Sequence, residues 1–155
     1  MTHPFEPIYD ENCEKLILGT FPSVQSREFG FYYGHPRTRF WSVLAAVYSE
    51  PAAMTIAEKT AFLLRHRLAL WDVLESCEIT GSDDSSIRSP VANDIAKLTN
   101  SGNITGVLCN GGKAFELYER YVNLPVPVLK LPSTSPANAA WTLAKLAEKW
   151  SEALR

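Results

Sequence analysis

Lys15-Leu16-Ile17-Leu18-Gly19-Thr20-Phe21-Pro22-Ser23 runs through three large aliphatic residues and then breaks at Gly and Pro. A short apolar run bounded by turn residues is the pattern of a strand buried on both faces. Three more follow: Leu68-Ala69-Leu70-Trp71 with Val73, Ile104 to Cys109, and Val126 to Leu131. Helical spacing lies between and after them. Phe40 to Tyr48 carries an apolar stripe. Thr55 to Arg67 opens on Thr55-Ile56-Ala57-Glu58, a capping box in which Thr and Glu satisfy orphan amides reciprocally. Lys113 to Tyr121 and Ala137 to Leu154 are further helices, the last burying Trp141, Leu143, Ala144, Leu146, Ala147 and Trp150. The alternation predicts an α/β protein, a three-layer α/β/α sandwich around a central, mainly parallel four-stranded sheet.

With 155 residues and 46% hydrophobic content, the chain is expected to fold as a single domain, 1–155, burying roughly two-thirds of its unfolded surface. The three cysteines Cys13, Cys77 and Cys109 form no CxxC pair and leave an odd thiol under any pairing. That points to a reducing, cytoplasmic setting rather than a disulfide framework. Three thiols also fall short of the four that an iron–sulfur cluster needs. Thr2 to Asn12 is polar and proline-punctuated, and no run approaches membrane-spanning length, so no membrane partner is expected. Fifteen Lys and Arg against 17 Asp and Glu give a net charge of −2, which weighs against nucleic acid unless a local positive face exists. Arg27, Arg37, Arg39, Lys113 and Lys130 lie where such a face would form.

In open parallel sheets ligands sit beyond the carboxyl ends of the strands. Gly19 to Ser23, Asp72, Asn110-Gly111-Gly112 and Pro132 to Asn138 all fall there. Beside them runs Gly30-Phe31-Tyr32-Tyr33-Gly34-His35-Pro36-Arg37-Thr38-Arg39-Phe40-Trp41, whose rings, His and polar groups suit a site that grips a flat, uncharged ring. Of the paired tyrosines only one is expected to point inward. The Asn110 amide offers a donor and an acceptor to one edge of such a ring. No GxGxxG or GxxxxGK loop is present for phosphate, and Gly81 to Ser86 reads as plain loop.

These segments resemble the uracil-DNA glycosylase superfamily, most closely its hypoxanthine-DNA (deoxyinosine) glycosylase branch. There a GSFP or GTFP loop, a YY(A/G)HPxNxFW loop, an NG pair and an LPSTSPA loop occur in this order. The resemblance covers nearly the whole chain and implies a base-excision repair enzyme that hydrolyses the N-glycosidic bond of deaminated bases in DNA, hypoxanthine first and uracil second, as a monomer without cofactor or metal. It implies that Gly19, Phe21, Tyr33 and Asn110 bind the flipped base and that Thr38, Asn110 and His35 serve catalysis. Pro22, Ser23, Arg37, Ser133, Thr134, Ser135 and Asn138 would contact DNA, with Asp72 in support. Thr38 departs from the pattern, which has an Asn there that is taken to be catalytic. A Thr hydroxyl orients water but is no general base at neutral pH, so weakened or altered activity is expected rather than none. Structural readings stand beside these: Thr38 as N-cap of the Phe40 helix, and Ser135-Pro136 as N-cap and first-turn proline of the last helix. Two other functions fit the same residues, a damaged-base-binding protein that has lost most catalysis and a small-molecule nucleoside or nucleotide hydrolase.

Overall fold

The computed structural model describes residues 1–35, 37–100 and 103–155; Pro36 of the ring-gripping loop lies outside them. In chain order the elements are β1 (Lys15–Gly19), α1 (Val24–Phe29), α2 (Phe40–Tyr48), α3 (Ile56–Arg65), β2 (Leu68–Asp72), β3 (Leu74–Glu78), β4 (Arg88–Ala92), α4 (Ala96–Thr99), β5 (Gly106–Asn110), α5 (Gly112–Tyr121), β6 (Val128–Leu131) and α6 (Leu143–Leu154). The four apolar runs form one parallel sheet in the order β2-β1-β5-β6, flanked by helices as a three-layer α/β/α sandwich. From β1 the chain passes to β2 on one side, then crosses to β5 on the other. The loops that follow β1 and β5 therefore diverge and leave a crevice at their carboxyl ends. Register places Gly19 beside Asp72 and Asn110 beside Leu131, so the residues at the crevice come from neighbouring strand ends.

The sheet is sealed by Leu16, Ile17, Leu18, Leu70, Leu108 and Cys109, together with Phe40, Leu44, Leu63, Tyr118 and Trp150 from the helices. Trp150 also donates its indole N–H to the Pro132 carbonyl at 3.0 Å, tying α6 to the loop after β6. All three cysteines are buried and free. No helix among the described residues is long and apolar enough to cross a membrane.

Several elements differ from the sequence reading. The last helix starts at Leu143, capped by Thr142, whose hydroxyl accepts from Lys145 N–H at 3.2 Å. Ser135 and Pro136 therefore lie in a turn rather than at a helix start. Arg39, not Thr38, is the N-cap of α2, and it makes no side-chain cap; Thr38 Oγ1 accepts from Phe40 N–H only at 3.4 Å. The capping box of α3 is half formed. Thr55 Oγ1 accepts from Glu58 N–H at 3.0 Å, but the Glu58 carboxylate takes the Thr55 hydroxyl instead of its backbone amide. β6 is an edge strand with Leu129 and Lys130 exposed, not a strand buried on both faces. The antiparallel pair β3 and β4 has no counterpart in the sequence reading, because Leu74-Glu75-Ser76-Cys77-Glu78 and Arg88-Ser89-Pro90-Val91-Ala92 are short, lack a continuous apolar run and are broken by register shifts.

Candidate active site

A cavity of about 390 Å³ opens at the crevice, within the range of small-ligand pockets. Gly19, Phe21, Pro22, Ser23, Tyr33, His35, Thr38, Asp72, Asn110, Ser133, Thr134 and Ser135 all line it. Segments far apart in sequence thus converge where the sheet topology places them. Arg37 is exposed and does not line the cavity, and Asn138 lines an adjoining groove instead, with Lys130, Trp141, Lys149 and Asp84.

Asn110 ends β5 at a sharp change of direction: Gly111 has φ +100°, a left-handed backbone that disfavours side chains, and a Cβ on it would sit 3.1 Å from Ser133 Cβ. The carboxamide does not rotate freely. Thr134 N–H donates to its Oδ1 at 3.0 Å, which leaves Nδ2 to donate to Thr134 Oγ1 at 3.0 Å and to the Tyr33 hydroxyl at 3.1 Å. Both tyrosines point inward, contrary to the sequence reading, because Tyr33 takes a left-handed backbone (φ +51°) that breaks the expected alternation. Tyr32 is buried and donates its hydroxyl to the Glu6 carbonyl at 2.7 Å. The Tyr33 ring packs on Phe40, centroids 4.0 Å apart and planes 17° apart, with its hydroxyl toward the cavity. Burial, with Asp72 nearby, pushes the Tyr33 phenol well above its ordinary range, so it remains a neutral hydrogen-bonding group.

Gly19 is required by space. A Cβ there would lie 2.4 Å from Asp72 Oδ1 and 2.7 Å from the Tyr33 hydroxyl. His35 accepts the Arg37 N–H on Nδ1 at 2.8 Å, so in the neutral ring the proton sits on Nε2, which has no protein partner among the described residues. It is thus both a loop brace and a donor at the cavity wall. Phe21 meets the His3 ring edge-on at 5.8 Å.

Arg39 and Asp84 were not singled out by sequence for what they do here. The Arg39 guanidinium donates to four backbone carbonyls, those of Thr134, Ser135, Asn138 and Trp141, and so clamps the loop after β6. Asn138 braces the same loop, donating its side-chain N–H to the Ser133 carbonyl at 3.0 Å. Arg27 likewise spends donors on the Ser23 and Gly81 carbonyls. Asp84 is exposed as a residue, but it lines both the cavity and the groove, and the partial desolvation of its carboxyl there, reinforced by Asp72 and Asp83 and opposed by Lys113, pushes it up to about 6. Because the value is raised, the group is neutral below about 6 and its contribution to folding stability is lost as pH rises through that value. A carboxylate at the cavity mouth repels a polyanion. Affinity for DNA is therefore expected to rise, beyond the general trend, between pH 7.5 and 5.5, and Asp84→Asn to flatten that rise; fluorescence anisotropy with a labelled duplex measures both.

A family model of the uracil DNA glycosylase superfamily matches residues 6–155. Two curated relatives, each named hypoxanthine DNA glycosylase, come from Methanosarcina barkeri (31% identical) and Methanosarcina acetivorans (33% identical), and each match covers 97% of this chain and 96% of the relative. The solution NMR structure of a candidate uracil DNA glycosylase from Methanosarcina acetivorans superposes with a TM-score of 0.85 at 31% identity, covering 99% of this chain and 96% of that one. The chain belongs to the uracil DNA glycosylase superfamily.

Proposed function

We propose that this protein excises deaminated bases from DNA by hydrolysing their N-glycosidic bond, hypoxanthine first and uracil second. The observation that carries the reading is the locked orientation of the Asn110 carboxamide, with Oδ1 held by Thr134 N–H and Nδ2 directed at the Tyr33 hydroxyl in the cavity. When the flipped base displaces that hydroxyl, Nδ2 donates to O6 of hypoxanthine or O4 of uracil. Oδ1 keeps a lone pair for the adjacent ring N–H. Adenine and cytosine, the parents of these bases, present the reverse pattern, and turning the amide to suit them would break the Thr134 bond. As the bond to the sugar breaks, negative charge develops on the base, and the donors Asn110 Nδ2 and His35 Nε2 stabilise it. Tyr33 and Phe21 flank the ring. The order of bases follows the two relatives named for hypoxanthine.

DNA is held, on this reading, by backbone and hydroxyl contacts at Pro22, Ser23, Ser133, Thr134 and Ser135, with Arg37 on the exposed side. The groove beside the cavity carries Lys130, Lys149 and the uncapped start of α5, whose amides favour phosphate. Asn138 serves DNA through that groove's shape rather than by entering the base pocket. One domain, 1–155, acting as a monomer in the cytoplasm without cofactor or metal, completes the reading; the single buried core supports the one domain, and the three free thiols support a reducing compartment.

Alkaline cleavage of labelled oligonucleotides carrying one deoxyinosine or one deoxyuridine tests the proposal. Strand scission at deoxyinosine is expected; intact DNA together with turnover of free inosine would overturn it in favour of a nucleoside hydrolase. Thr38→Asn, nearly equal in volume and facing the same cavity, restores the carboxamide of the resembling branch. It is expected to raise the single-turnover rate about tenfold or more, as adding one positioned polar group does.

A further inference from the structure

His3 and Asp72 are brought together by an extended N-terminal segment that runs beside the sheet. Ile8 exchanges both backbone hydrogen bonds with Leu70 at 2.9 Å, and His3 N–H donates to the Glu75 carbonyl at 2.6 Å. The side chains meet out of solvent: His3 Nε2 lies 2.7 Å from Asp72 Oδ2, with side-chain exposures of 2% and 6%. Phe5 N–H donates to His3 Nδ1 at 3.1 Å, so Nδ1 carries no proton and the neutral ring has its hydrogen on Nε2, pointing at the carboxylate. Phe5, Phe21 and Tyr32 close around the imidazole, with ring centroids 5.6, 5.8 and 5.8 Å away. Nothing in this arrangement is free to turn.

The other carboxylate oxygen is differently placed. Asp72 lines the cavity, and Oδ1 faces the bare Cα of Gly19 without a protein donor among the described residues. Nor is it sealed off, since Trp71 Nε1 is the one buried side-chain polar atom lacking a partner among the described residues. A buried carboxylate costs free energy unless both oxygens are satisfied, and an oxygen without a protein donor at a cavity wall takes one from water.

We propose that Asp72, oriented by His3, holds and deprotonates the water that attacks the sugar. This deepens the glycosylase reading and rests on it. In the step, the C1′–N bond breaks with its electron pair on the base nitrogen and the water oxygen bonds to C1′. One water proton passes to Asp72 Oδ1 and on to solvent, and the departing base anion takes up a proton from solvent. Asp72 is then the catalytic residue and His3 a positioning residue. This supplies the base function that Thr38 cannot.

The test is single-turnover excision of hypoxanthine from a deoxyinosine duplex, with Kd for uncleaved DNA and Tm measured alongside. Asp72→Asn is expected to lower the rate about a hundredfold with Kd unchanged, the size of effect usual for loss of a general base. Asp72→Ala should be partly rescued by added formate, which a merely structural role would not allow. His3→Ala is expected to lose about tenfold, and His3→Gln, which keeps a donor where Nε2 lies, to recover most of it. Wild-type rates in Asp72→Asn, rate losses that only follow Tm or Kd, or no formate rescue would overturn the proposal while leaving the glycosylase reading intact. An inactive wild-type protein would overturn both.

Discussion

Asn110→Ala is expected to slow hypoxanthine excision by about 10²- to 10³-fold, the effect of removing one preorganised donor from the place where negative charge develops. The variant also breaks three contacts at once: Thr134 N–H loses its acceptor, and Thr134 Oγ1 and the Tyr33 hydroxyl lose their donor. Rate loss alone would not separate recognition from support. Asn110→Asp does, because a carboxylate still accepts from Thr134 N–H, and both hydroxyls can turn to donate to it. Its Tm should stay near that of the wild type while excision falls as far as in the Ala variant. A wild-type rate in Asn110→Asp would remove Asn110 from base recognition.

What could be read from the sequence was set by how local its causes are. β1, β2 and β5 are apolar runs whose burial follows from composition, and Leu16 to Leu18 or Val107 to Cys109 need no long-range information to be recognised, whereas the equally apolar β6 lies at the sheet edge with Leu129 exposed, which composition does not tell. The loops at their ends were legible by position and resemblance, and twelve of the candidate residues do line the cavity. The start of the last helix was misread because Ala137, Ala139 and Ala140 are good helix formers. Their backbone is instead held in turns, with Asn138 N–H bonded to Ser135 O and Trp141 N–H to Asn138 O. The orientation of the Asn110 amide depends on Thr134, 24 residues away, and the His3–Asp72 pair joins positions 69 apart. Neither leaves a periodic trace in the chain, and a single His in a polar N-terminal stretch gives no signal of its own.

Arg39 illustrates the same limit and carries the largest expected effect on stability. A cation beside a loop expected to contact DNA invites a phosphate role, yet its donors go to the carbonyls of Thr134, Ser135, Asn138 and Trp141. A hydrogen bond from a charged donor contributes about 1.5–3 kcal/mol, but carbonyls in a surface loop partly regain water when it is lost, so the four do not add. Arg39→Ala is expected to cost about 3 kcal/mol, a Tm fall of about 6–12 °C for a chain of this size. Arg39→Lys should recover little of it, because a compact ammonium cannot span carbonyls that the planar fork reaches together. The released loop carries Ser133, Thr134 and Ser135, so excision falls as well, through loss of the Thr134 lock on Asn110. Calorimetry and amide exchange over 134–141 read the structural effect directly. If Arg39→Ala instead weakened DNA binding at an unchanged Tm, the guanidinium would be a phosphate contact and not the clamp of the loop.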